Sequence, residues 1–194
     1  YMSPPLRTFL RMPLRYPPVA SGERVAIAKM DREGRIVVDP EYSSHLRERG
    51  DYGREVGRGA LELTPEEALY LVERGRLRVL DESGRELSRE ELIEEFVERD
   101  REFWTRYILY YDLRKRGFIV KEGFSSELIE YRIKKQSEED VPKYVVFGVK
   151  EGRKISFSEL ERIVKYSLRS KKTPVIAVID KEGNISYYQV SKLS

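Results

Sequence analysis

Apolar residues recur along this chain at two spacings, every second position or every third and fourth, and the switches between them mark out its elements. ERVAIAKM (23–30) and RIVVD (35–39) alternate on either side of DREG and predict strand, turn, strand. LTPEEALYLVERG (63–75) changes to helical spacing. Thr64 can cap that helix, Pro65 suits its first position, Glu67 completes a capping box and Gly75 ends it. RLRVL (76–80) reads as a short strand. Ser88 and Glu91 then open a second helical pattern, carried by Leu92, Ile93, Phe96 and Val97 and continued from Phe103 through Tyr107 and Leu113 to Gly117. That run is too long for one ordinary globular helix, so a break is expected at 99–101, with a domain boundary beside it. Residues 40–60, rich in glycine and charge, read as a loop. Residues 1–22, with PPL, MPL and PPV, read as an irregular extension.

The second half has a different rhythm. GFIVKEG, LIEYRIK and KYVVFGV are three strand-like runs, and SFSELERIVKYSLRSK is a helix with Ser156 and Glu159 as its capping box. TPVIAVID and ISYYQV form a hairpin across KEGN. The chain therefore reads as α+β: a small N-terminal α+β domain over 23–102, then a compact α/β domain over 103–194 with a mixed central sheet. In ISYYQV the alternation puts Tyr187 and Tyr188 on opposite faces. Aromatic residues on both sides of a terminal strand predict an edge paired with another chain.

Composition narrows the chemistry. There is no cysteine, which excludes disulfides, thiolate metal sites and cysteine nucleophiles. Charged residues make up 37% of the chain with both signs interleaved, the pattern of heat-adapted ion-pair surfaces. Net charge is only +3, so affinity for nucleic acid must come from local clusters. No apolar run approaches the ~18 residues of a membrane span, and no leader pattern opens the chain; a cytoplasmic location away from membranes is expected. Neither a Gly-rich phosphate loop nor metal-ligand spacing is present, so no cofactor and no metal are expected. The paired glutamates at 66, 90 and 94 fall on helix faces suited to solvent. The single histidine, His45, sits in a polar stretch and reads as a surface residue.

RYILYYDLRKRGFIVKEG (106–123), VIAVIDKEGNISYYQV (175–190) and EALYLVERGRL (67–77) together resemble the archaeal tRNA-splicing endonuclease family. The resemblance covers nearly all of the chain beyond about residue 23. It implies metal-independent RNA cleavage in which a tyrosine deprotonates a ribose 2′-hydroxyl, a histidine protonates the leaving oxygen and a lysine stabilises the charged transition state. Carried over one residue at a time, the tyrosine matches Tyr131 and the lysine matches Lys172, with Lys171 one register away. The histidine position, in SEEDVPKYVVFGV, holds Val141. Two further departures accompany it. The segment before Tyr131 lacks the family's glycine and brings Glu127 and Glu130 near the RNA path, and a base-clamping arginine is matched by Lys165, which lacks the planar guanidinium. Tyr131 also reads as an ordinary strand aromatic, and Lys171 and Lys172 as a basic turn after a helix.

The resemblance implies a structural subunit that assembles with a catalytic endonuclease subunit, two of each, to excise introns from pre-tRNA at bulge-helix-bulge sites. Lys165, Arg169 and Lys171 are the candidate RNA contacts, with Lys172 on the same face if the helix reaches it. Asp180, Glu182 and Asn184, at the hairpin tip, match an acidic loop that docks on an opposing pair, and D-x-x-G-N is also plain turn chemistry. Tyr187 and Tyr188 are the candidate strand contacts. Two other readings stay open: an active nuclease with Asp140, Lys143 or Lys134 in the histidine's role, or a standalone RNA-binding protein.

Overall fold

The computed structural model describes residues 24–123, 125, 128–135 and 143–190. They divide into two compact units, 24–104 and 105–190. In the first, alternation does what the pattern predicts: β1 (Ala26–Met30) turns Ala26, Ala28 and Met30 inward, and β2 (Ile36–Val38) buries Ile36 and Val38 beside them. The Asp31 carboxylate closes the intervening turn by accepting the N–H groups of Glu33 and Arg35. After β2 come α1 (Pro40–Gly50), β3 (Arg54–Val56), β4 (Ala60–Leu63), α2 (Pro65–Glu73), β5 (Leu77–Leu80) and α3 (Arg89–Arg99). The sheet order is β3-β4-β2-β1-β5, with β1 and β5 parallel and the other pairs antiparallel.

The loop expected over 40–60 is instead a helix and a hairpin. Helix α1 has Pro40 in its first turn, stops at Asp51 in the left-handed region (φ 51°), and buries one large side chain, Leu46. Its apolar stripe is too thin to show in the sequence. The capping box predicted at Thr64 with Glu67 is formed, and Ser88 with Glu91, at the predicted helix start, forms another. Glu67 goes further, since its buried carboxylate also accepts the Gly53 N–H and ties the hairpin to α2. Interleaved charge becomes cross-strand ion pairs such as Arg54–Glu62 and Arg78–Glu86, both 2.6 Å.

The long helical pattern breaks where expected. Asp100, extended at φ −146°, ends α3, and α4 (Phe103–Lys115) begins three residues later with the Phe103 ring 5.1 Å from Phe96. Then follow β6 (Phe118–Glu122), β7 (Ile129–Lys135), β8 (Tyr144–Lys150), α5 (Phe157–Arg169), β9 (Thr173–Ile179) and β10 (Ile185–Gln189). The order β10-β9-β8-β7-β6 is a mixed sheet in which only β8 and β9 run parallel, joined by the α5 crossover. Register sorts its two faces. Tyr131 and Tyr187 look toward α4, and Gly148 lets Leu109 of α4 approach so closely that a Cβ there would lie 2.9 Å from it. Val145 and Phe147 look the other way and form a core with Ile163 of α5. Only half of the Ser156 box exists. Ser156 Oγ accepts the Glu159 N–H at 3.2 Å, but the Glu159 carboxylate takes Arg153 instead of reaching back.

Candidate functional site

Tyr131, matched above to a catalytic base, sits mid-β7 with its side chain under α4. It is 2% exposed, its ring meets Tyr110 edge-on at 5.9 Å, and its hydroxyl donates to the Arg106 carbonyl at 3.4 Å. Val141, Glu127 and Asp140 lie outside the described residues. Lys172 is half-buried and its ammonium donates to the Ser170 carbonyl at 3.2 Å. Register lines up Ile133, Tyr144 and Thr173 across β7, β8 and β9, and Thr173 N–H donates to Lys143 O. Lys172 and Lys143 thus share one end of the sheet. Tyr131 lies two residues further in, its phenol on the α4 side. Of the matched positions described, the backbones of Tyr131 and Lys172 lie toward the same end of the sheet, and the tyrosine side chain turns away to the α4 side.

The lysine and arginine stripe is shorter than expected. Helix α5 ends at Arg169, where Ser170 caps it and Lys171 adopts φ 53°, letting the Lys171 and Lys172 N–H groups bond back to Leu168 and Ser167. Lys165 and Arg169 remain one turn apart and exposed, but Lys171 and Lys172 lie in the turn beyond. Lys165 is ion-paired with Glu161 at 2.8 Å.

At the hairpin tip, the Asp180 carboxylate accepts the N–H groups of Glu182 (2.9 Å) and Asn184 (2.8 Å) and the Asn184 side-chain amide. These bonds hold its pKa below the usual carboxylate range. Asp180 and Asn184 therefore close the turn, and the charge offered outward comes from Glu182 and Lys181, both exposed. On β10 the two tyrosines differ. Tyr188 is 58% exposed, whereas Tyr187 lies against α4, donating to Asp112 at 2.6 Å under the Arg116 guanidinium, 5.1 Å from the ring centroid.

Burial first, and then that bond to Asp112, push the Tyr187 phenol far above its usual pKa. A phenol raised on folding contributes stability that is fully present below its unfolded pKa of about 10 and is lost as pH rises beyond it. Tyr187→Phe should cost about 1–2 kcal/mol near neutral pH. Denaturant unfolding at rising pH should show that difference shrinking above pH ~10, where the unfolded wild-type phenol ionises. A constant difference across that range would refute the assignment.

Sequence reasoning missed one place. Glu130, from β7, and Tyr166, from α5, meet 36 residues apart, the phenol donating to Glu130 Oε1 at 3.0 Å while Ser125 N–H donates to Oε2 at 2.9 Å. They stand in a cleft of about 270 Å³ floored by Leu128, Phe147 and Ile163. Burial, and then the Glu130 bond, raise the Tyr166 pKa. Among the described residues no cluster of three or more His, Asp or Glu side chains is placed to hold a metal, and no helix is long and apolar enough to cross a membrane.

Two family models match the chain: the N-terminal domain of tRNA intron endonuclease over residues 22–93, and the catalytic C-terminal domain of tRNA intron endonuclease over 103–187. The tRNA-splicing endonuclease of Methanococcus vannielii is 32% identical over 177 residues, covering 90% of this chain and 98% of that protein. That of Thermococcus onnurineus is 36% identical over 141 residues, 72% of this chain and 80% of that protein. The chain belongs to the tRNA-splicing endonuclease family. The two domain matches fall on the two sheets in chain order, β1 to β5 and then β6 to β10. As a family member the chain is tied to pre-tRNA processing. The stretch matched to the catalytic domain contains no histidine, and the chain's one histidine, His45, lies on α1.

Proposed function

We propose that this chain is the non-cleaving, structural subunit of a tRNA-splicing endonuclease, assembled with a catalytic subunit that supplies the general acid. The observation that carries the reading is the absence of any histidine from residues 103–187 in a family whose resemblance implies a histidine proton donor. The burial of Tyr131 points the same way, because a base must reach the 2′-hydroxyl within about 2.6–3.2 Å.

What remains useful in such a subunit is its surface, and β10 supports an assembly role. Among the described residues it is an edge strand, and residues 185–190 carry no charge. The edge strands β3 and β6 contain Arg54 and Glu55, and Lys121 and Glu122, of the kind that deter pairing. The same unit exposes apolar side chains: Tyr188 on β10, and on one flank of α5 Phe157 (83% exposed) and Leu168 (57%). A partner strand on β10 with these residues covered would give a largely apolar contact of the obligate kind, ~2,000 Å² or more. Glu182 at the hairpin tip would add a docking charge, and Lys165, Arg169 and Lys171 basic surface for pre-tRNA.

The test is cleavage of an intron-containing pre-tRNA in chelator with the cyclic-phosphate end assayed. The pure chain should give no product, and adding a candidate catalytic subunit should restore cleavage and produce a particle with two copies of each. Robust cleavage by the pure chain would sink the proposal.

A further inference from the structure

The cleft between α5 and β7 holds an electrostatic oddity. Glu130 is 8% exposed, and its carboxylate is bound by two neutral donors, the Ser125 N–H and the Tyr166 hydroxyl. Among the described residues it has no cationic partner within 4 Å. Buried carboxylates are costly unless paired with positive charge, and this one opens onto a space of about 270 Å³ between the described residues. The placement is built. Glu130 folds back across Gly123, where any Cβ would collide with the Glu130 side-chain carbons, and Gly123 N–H donates to the Glu130 carbonyl at 2.8 Å.

We propose that this cleft receives an arginine side chain presented by a partner protein. The space of about 270 Å³ has room for a long side chain. The walls suit a planar cation. Phe147 and Tyr166 stand edge to face with centroids 6.4 Å apart, so a guanidinium can lie on a ring face while its N–H fork reaches the carboxylate. A lysine would gain the charge but not the stacking. The rim carries Glu159, whose charge is matched by Arg153 at 2.8 Å, and Arg162, while the buried carboxylate of Glu130 is the negative charge inside the cleft. A nucleobase could stack there too, but it would bring no full positive charge to the buried Glu130 carboxylate, which the guanidinium does. The inference does not depend on whether the chain cleaves RNA.

The test uses the ¹⁵N-labelled full chain titrated separately with N-acetyl-arginine amide, with its neutral isostere N-acetyl-citrulline amide, and with guanosine monophosphate. The arginine probe should shift the amides of 129–131, 147 and 163–166, with the citrulline probe at least about tenfold weaker, a factor equal to about 1.4 kcal/mol. Glu130→Gln, checked for an unchanged fold by its amide spectrum, should weaken the arginine probe by a similar factor. The citrulline arm stands without that variant. Equal binding of the two amides, no localised shifts with arginine, or stronger shifts at these amides with the nucleotide would each overturn the proposal, the last in favour of a base pocket.

Discussion

Val141→His, which puts a histidine where the resemblance would place one, should still give no cyclic-phosphate product from the pure chain. A positioned general acid is worth about 10²–10⁴-fold, but only with a base on the other side of the reaction. The matched base, Tyr131, has its oxygen turned to the Arg106 carbonyl and its ring packed on Tyr110 beneath α4. Reaching a ribose would require the ring to leave the core. End-labelled pre-tRNA in chelator, followed to long times, measures the outcome against the chain with Val141. If the variant cleaves and loses that activity on adding Tyr131→Phe, then Tyr131 leaves its packed position during catalysis and its assignment as a core residue is wrong.

Stability supplies the complementary measurement. Tyr131→Ala should destabilise the second unit by about 3–5 kcal/mol, the usual cost of emptying a buried aromatic site. Tyr131→Phe, which keeps the ring and loses the hydroxyl with its 3.4 Å bond to the Arg106 carbonyl, should cost far less, about 1 kcal/mol. At about 4–8 °C per kcal/mol for a unit of this size, the alanine variant should melt more than about 10 °C lower and the phenylalanine variant within several degrees of the parent. Near-equal, small losses for both would mean that the ring is not packed as described, and would reopen the catalytic reading.

The same residue shows where the sequence stops being informative. That LIEYRIK is a strand follows from its alternation, and β7 occupies that run. Which face takes Tyr131 depends on which helix lies over which side, and α4 and α5 are placed by contacts far apart in the chain. The Tyr187–Asp112 bond spans 75 residues and the Tyr166–Glu130 bond 36, and no local pattern announces either. Capping is the opposite case. Thr64 with Glu67 and Ser88 with Glu91 act within one helical turn, and both were readable in full. Helix α1 was not, since Leu46 is its one large buried side chain and a stripe one residue wide has no period. Glu130 read as an obstacle to RNA because its charge is visible in the sequence. Its burial, which gives that charge a different meaning, is not.

The turn that Asp180 closes has a consequence for recognition. Three bonds to its carboxylate fix the backbone from 180 to 184 before any partner arrives, so the direction of the Glu182 side chain is largely decided by folding. A partner that reads this tip meets a shape that needs no ordering, and the entropy that a loose loop would surrender on docking has already been spent. Changes at Asp180 would then alter affinity without removing a contact, through the number of conformations the tip explores when unbound.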